Sequence, residues 1–351
     1  MDGSLERPDG GRIEWIDACK AIAIFFIFFG HWRTKNGNLE VFSYYFHLQL
    51  FFIISGFFAT KQQQKSAPEF LKNQVKRLFI PFVFFSAVNI LYFNLDGDKT
   101  FHELWWDFAT SFTDFSQSVS SQLWFLPALF AVSIIYYFLL KVIKKRWIVL
   151  LISYALYTIG VCSPALNVMF IKFMGINTVP NYLFWYALGA FSFNRVNVCV
   201  NLLCAEGSER ISKPLLHFMG ASLLIISVIL YQRKPDYIIN KLGNIPNFAY
   251  QNIKILITFL ICGAAMYVSI LLRKSSFLKN IGQNTLILMG FEAISKNFIV
   301  LKLIPMFNLG IVKLDTTVQV IAISIITVLF IRFAFKPLNT YFSILVGKYH
   351  A

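Results

Sequence analysis

Two histidines and a lysine stand inside the most apolar stretches of this sequence. Lys20 and His31 bracket the ten residues AIAIFFIFFG, none of which can do polar chemistry. On a helix the two lie roughly 16 Å apart along the axis, about half the thickness of a bilayer core. His47 follows sixteen residues later, within FHLQLFFIISGFF. Neutral imidazole is the side chain best suited to take a proton from a hydroxyl near pH 7. Ionisable groups at membrane depth are functional candidates by default. A structural reading stands beside the catalytic one: His31 closes a helix end next to Trp32, and His47 bonds a main-chain carbonyl.

The elements that must position these groups follow from composition. Hydrophobic residues make up 57% of the 351-residue chain and charged residues 14%, with a mean hydropathy of +0.62. A soluble protein would carry about a quarter charged residues, so an all-α polytopic membrane protein is expected. Apolar runs predict about ten transmembrane helices, near 17–33, 41–60, 78–95, 123–140, 147–163, 180–199, 215–231, 253–272, 281–301 and 318–335. Such spans satisfy their backbone only as helices. No repeat of solenoid length and no long linker divides the chain, so a single transmembrane domain over 1–351 is expected. The first span reads as an uncleaved signal-anchor. Residues 101–115, FHELWWDFATSFTDF, predict an amphipathic helix at the membrane interface.

Loop lysines and arginines are about twice as numerous on one side, which places both termini in the cytoplasm. The same distribution accounts for the net charge of +15 by contact with anionic lipid, and argues against nucleic-acid binding. Under this topology His31 and His47 reach one depth on neighbouring helices. The five cysteines form no CxxC pair and no metal-ligand spacing, so most read as small core residues and no metal is expected.

Further polar groups gather at the span entrances. The segment 61–77 carries Lys61, Lys65, Lys72, Lys76 and Arg77; it suits a polyphosphate, or is positive-inside charge alone. Ser55 and Gly56 lie deep in the second span, where small residues let helices approach. Trp124 and Pro127 open the fourth span, Trp124 as interfacial anchor or pocket wall. Glu292 and Lys296 are four apart in the ninth, as an ion pair or as functional groups.

These segments together resemble the acyltransferase-3 family of integral-membrane acyltransferases. RIEWIDACKAIAIFFIFFGHW is similar to the family's first helix, in which a basic residue, ten residues and a histidine follow in order; here they are Lys20 and His31. YYFHLQLFFIISGFF resembles the second helix (His47, Ser55, Gly56), VKRLFIPF the basic entrance of the third (Arg77, Pro81), and QLWFLPALF the W-F-L motif (Trp124, Phe125). FLKNIGQNTLILMGFEAI resembles a late stretch that often ends in His, where this chain has Glu292. The variant is most similar to the branch of fucose 4-O-acetylases and surface-polysaccharide O-acetyltransferases.

The resemblance implies transfer of an acetyl group from cytoplasmic acetyl-CoA to a sugar hydroxyl of a cell-surface or lipid-linked polysaccharide, in the bacterial plasma (inner) membrane. His31 and His47 are then the catalytic pair, Lys20, Lys76 and Arg77 the donor-binding residues, and Asp17, Ser55, Trp124 and Glu292 the substrate pocket. Acetyl-CoA is expected as donor substrate, with no permanently bound cofactor. Direct transfer and a covalent acyl intermediate both stay open. A transporter or lipid-linked glycan flippase is the competing class, against which the absence of internal pseudo-repeats counts.

Overall fold

The apolar run that follows Glu14 has no way to satisfy its peptide groups in a dry environment except as a helix, and the remaining elements obey the same constraint. The structure is a computed structural model that describes residues 13–31, 38–113 apart from 96 and 98, 121–162, 178–204, 212–299 apart from 242 and 244, 317–334, 337 and 345. Trp32 and both chain ends lie outside them. Every regular element among the described residues is helical, as the composition requires.

Over the described residues, all ten predicted apolar segments fall on helices, two of them interrupted. Five helical stretches are long and apolar enough to cross a membrane: Ala67–Phe93, Gln122–Ile143, Val179–Cys204, Lys213–Arg233 and Asn247–Leu271. Shorter apolar helices cover Arg146–Val161 and Gln319–Ala334. The chain divides into two compact units, residues 1–57 with 185–285 and residues 58–184 with 286–351.

In the first unit, α1 (Glu14–Gly30) is the buried centre. Glu14 and Asp17 lie in its first turn, where the helix dipole favours carboxylates. The expected second span is broken into α2 (Asn38–Tyr44) and α3 (His47–Phe57), with Tyr45 and Phe46 between them. α1 packs on both and on two helices from the far end of the unit, α13 (Asn247–Leu271) and α14 (Ser276–Gln283). α10 (Val179–Cys204) enters this unit at Trp185, and α11 (Ser212–Arg233) and α12 (Pro235–Asn240) complete it. Gly56 of α3 and Gly189 of α10 meet backbone to backbone: a Cβ on Gly56 would enter the Tyr186 carbonyl, and one on Gly189 the Ile53 carbonyl. The small-residue packing expected of Gly56 is thus present, with Gly189 as its counterpart. Cys19 and Cys262 are buried free thiols, whereas Cys199 is exposed.

In the second unit, α4 (Ala59–Gln63) leads to α5 (Ala67–Gln74), which Ser66 caps by accepting the Glu69 N–H at 3.4 Å. α5 continues through a π-helical segment, Val75–Phe79, into α6 (Ile80–Phe93). The π turn has a cause. Pro81 lacks an N–H and its ring crowds the carbonyl four residues back, that of Arg77, so the helix widens and Ile80 N–H reaches back five residues to Val75.

α7 (Phe101–Thr113) realises the predicted amphipathic helix, with Phe101, Trp105 and Trp106 exposed. Its start is a capping box: Thr100 N–H donates to Glu103 Oε2 at 2.7 Å and Glu103 N–H to Thr100 Oγ1 at 3.4 Å. A 3₁₀ turn, Ser121–Trp124, opens α8 (Phe125–Ile143), which packs on α9 (Arg146–Cys162). Pro127 sits in the first turn of α8, where its missing N–H costs nothing. α15 (Thr285–Phe298) and α16 (Thr317–Ala334) follow. Asn284 ends α14, so the expected ninth span is also two helices.

Candidate active site

The break between α2 and α3 builds the site. Tyr45 and Phe46 close short turns onto Phe42 and Ser43, with N···O distances of 3.2 Å each. Their carbonyls are met by side chains of α13: Thr258 Oγ1 donates to the Tyr45 oxygen at 2.8 Å, and Cys262 Sγ lies 3.8 Å from that of Phe46. An interrupted helix inside an apolar protein needs such partners for its freed groups.

His47 is therefore the first residue of α3, with 1% of its surface exposed. A ring so buried must bond, and its Nδ1 is hydrogen-bonded to the main-chain oxygen of Ser43. A carbonyl only accepts, so Nδ1 carries the proton and Nε2 is the lone-pair nitrogen. Ser43 Oγ in turn donates to the Glu40 carbonyl at 2.7 Å.

His31 closes the same end of α1. It is the C-cap, its N–H donating to Ile27 O at 3.1 Å, and it is half-buried. Its neighbour Gly30 packs on the junction: a Cβ there would lie 2.5 Å from Ser43 Oγ and 3.8 Å from His47 Cε1. His31 and His47 are within electrostatic reach of one another. Both structural readings of the histidines are realised, the helix cap and the carbonyl bond, and they set the two residues at neighbouring helix ends.

Lys20 belongs to the opposite end of α1. Its Nζ is 3.8 Å from Asp17 Oδ1, and Gln283 Nε2 donates to Asp17 Oδ2 at 3.3 Å. Asp17 is buried, and α14 presses on it so closely that a Cβ on Gly282 would enter the Asp17 carbonyl. Lys279 pairs with Glu14 at 3.2 Å beside it. Lys20 and Asp17 are thus neighbours, separated from the histidines by most of a helix. Ser55 lies eight residues beyond His47, about 12 Å along α3.

The remaining predicted residues belong to the second unit. Lys61, Lys72 and Arg77 are exposed, and Lys65 and Lys76 half-exposed. Tyr137 of α8 fixes this basic segment: its hydroxyl donates to the Lys65 carbonyl at 2.8 Å, its own carbonyl accepts from Gln63 Nε2 at 3.1 Å, and its ring stacks on Phe70 at 4.0 Å. Lys76 and Arg77 sit on the π turn itself. Trp124 rests against Tyr182 with ring centroids 5.5 Å apart. Glu292 is 2% exposed on α15. Two residues earlier Gly290 offers its carbonyl to Asn89 of α6 at 2.9 Å. No cluster of three His, Cys, Asp or Glu side chains is gathered among the described residues.

Ser43, Thr258, Cys262 and Gln283 were invisible as site residues in the sequence. Nothing in SYYFH marks a helix break, and the partners that hold it are more than 200 positions away.

Long apolar helices define a membrane protein, and two imidazoles near one helix junction are groups of the kind that move protons. The chain belongs to the acyltransferase-3 family, whose model, described as an acyltransferase domain, matches residues 13–336. It is an integral-membrane acyltransferase. No curated protein and no solved structure matches the chain.

Proposed function

We propose that the protein is an O-acetyltransferase of the surface-polysaccharide branch, moving acetyl from cytoplasmic acetyl-CoA to a sugar hydroxyl of a cell-surface or lipid-linked glycan, in a bacterial plasma membrane with both termini inside. The observation that carries the reading is the meeting of the His31 end of α1 with the His47 junction, where a Cβ on Gly30 would lie 3.8 Å from His47 Cε1, within the span of the family match.

In this mechanism His31 takes the proton of the acceptor hydroxyl as the oxygen attacks the thioester carbonyl. The C–S bond breaks, the ester C–O bond forms, and the proton leaves with the CoA thiol. His47, its tautomer set by Ser43, turns Nε2 as an acceptor toward the same proton. The basic residues of 61–77, above all Lys76 and Arg77, hold CoA phosphates, where a guanidinium gives a bidentate contact. Lys20 adds positive charge on the donor side and Asp17 orients it. Ser55, Trp124 and Glu292 are assigned to acceptor binding, and aromatic side chains at the reacting centre would exclude the water that hydrolyses the thioester.

The experiment is mass spectrometry of surface glycans from cells with and without the protein. O-acetylation adds about 42 Da per modified sugar, an acetyl group replacing a proton. Identical glycan masses, together with no release of CoA thiol from acetyl-CoA by the purified protein, would remove the reading.

A further inference from the structure

A second polar constellation lies in the same unit, two residues from His47. Asp236, in α12, receives three donors on one carboxylate oxygen. The Tyr45 hydroxyl donates to Oδ1 at 2.5 Å, the Tyr250 hydroxyl at 3.2 Å, and Lys254 Nζ lies 3.5 Å away. The other oxygen, Oδ2, has no partner among the described residues, and the side chain is 41% exposed.

The three donors come from two separate helical regions. Tyr45 is the junction residue whose carbonyl Thr258 holds, and Tyr250 and Lys254 lie on α13, the helix that carries Thr258. Lys254 also sits over both tyrosine rings, 5.4 Å from the Tyr45 centroid and 5.1 Å from that of Tyr250. Asp236 is thus fixed in orientation by the same elements that place His47, with one oxygen spent and the other presented outward.

The chemistry of that oxygen selects its ligand. A carboxylate oxygen accepts and does not donate, so the ligand must offer a donor, and a phosphate or carboxylate is repelled. The ammonium of Lys254 beside it disfavours a second cation. A neutral hydroxyl remains. We infer that Asp236 is the hydroxyl-binding carboxylate of an acceptor-sugar subsite, accepting through Oδ2 from a hydroxyl next to the one that is acylated. The identity of that sugar as acceptor rests on the acyl-transfer reading; the binding of a polyol at Asp236 does not.

The test uses the full-length protein in nanodiscs and a panel of methyl pyranosides as probes. Lys254 is labelled with an amine-reactive reagent and read by peptide mass spectrometry, with exposed Lys241 as internal reference. At least one pyranoside protects Lys254 and leaves Lys241 unchanged. Asp236→Asn keeps an anchored oxygen for the two tyrosines but turns the outward oxygen into an N–H donor. In that variant protection is lost and the KM for the protecting sugar rises by roughly tenfold to a hundredfold, the scale of one hydrogen bond to a charged group, while the KM for acetyl-CoA stays at the wild-type value. Tyr250→Phe, which preserves the ring, raises the sugar KM by a smaller factor and serves if Asp236→Asn does not fold. No protection by any pyranoside in the wild type, or an unchanged sugar KM in whichever variant folds, overturns the subsite. Protection without any turnover of acetyl-CoA would overturn acyl transfer and leave the subsite standing.

Discussion

His47 and Ser43 are joined across a helix break, the imidazole Nδ1 donating to the main-chain oxygen four residues back. The bond spends one ring nitrogen on structure and leaves the other as a fixed acceptor. His47→Asn separates the two roles, because the Asn amide can still donate to the Ser43 carbonyl but offers nothing at the Nε2 position. This variant is expected to fold at wild-type abundance and to lose about 10²-fold or more of its activity. Wild-type turnover in His47→Asn would make His47 a pin for the helix junction and nothing else.

Arg77 is the sharpest test of donor binding. It stands exposed on a π turn that Pro81 forces open. Arg77→Ala should raise the KM for acetyl-CoA, and Arg77→Lys should not restore it, since a lysine cannot make the bidentate phosphate contact. Steady-state kinetics normalised to folded protein decide it: a purely structural arginine would lower abundance and leave the KM unchanged.

The crossing of α3 and α10 makes a stability prediction. Gly56→Ala places a methyl inside the Tyr186 carbonyl, and main chain cannot step aside as a flexible side chain can. Overpacking of this kind costs about 1–3 kcal/mol, read as a lower thermal midpoint in detergent. An unchanged midpoint would mean the helices do not meet there.

Acid should loosen α7. The Glu103 carboxylate is held below its ordinary value, first by the Thr100 amide and then by the Thr100 hydroxyl. A depressed carboxylate contributes stability above its unfolded value, near 4.3, and loses it as the pH falls through the lower folded value. Hydrogen exchange of residues 101–113 should therefore accelerate at pH 3 relative to pH 7, after correction for the intrinsic rate. Glu103→Gln should abolish the step; equal protection at both pH values in the wild type would show that the capping box does not hold the helix.

These sites differ in how far the sequence could announce them. Long apolar runs declare themselves because a membrane span must be continuous in composition; the N-cap at Ser66 and the capping box at Thr100 are short local patterns of the same kind. The second span hides its break because SYYFHL contains neither Gly nor Pro; Thr258 and Cys262 sustain it from another helix. Asn284 interrupts the ninth span in the same unannounced way. Gly56 could be read as a packing residue, but its counterpart Gly189 could not, since which helices cross is a property of the assembled chain. His31 and His47 could be singled out from their places in the apolar runs. The bond that assigns the His47 tautomer depends on a main-chain oxygen, which no side-chain pattern reports.

His31→Gln tests the central claim most directly. Glutamine keeps hydrogen bonding at the end of α1 but cannot take a proton at useful pH. Glycan acetylation should be measured by mass spectrometry in cells expressing His31→Gln at wild-type abundance, and CoA-thiol release from acetyl-CoA on the purified variant. A loss of roughly 10²–10⁴-fold is expected for removal of a positioned general base. Near-wild-type acetylation in His31→Gln would show that His31 only caps α1, and that the proton is taken elsewhere.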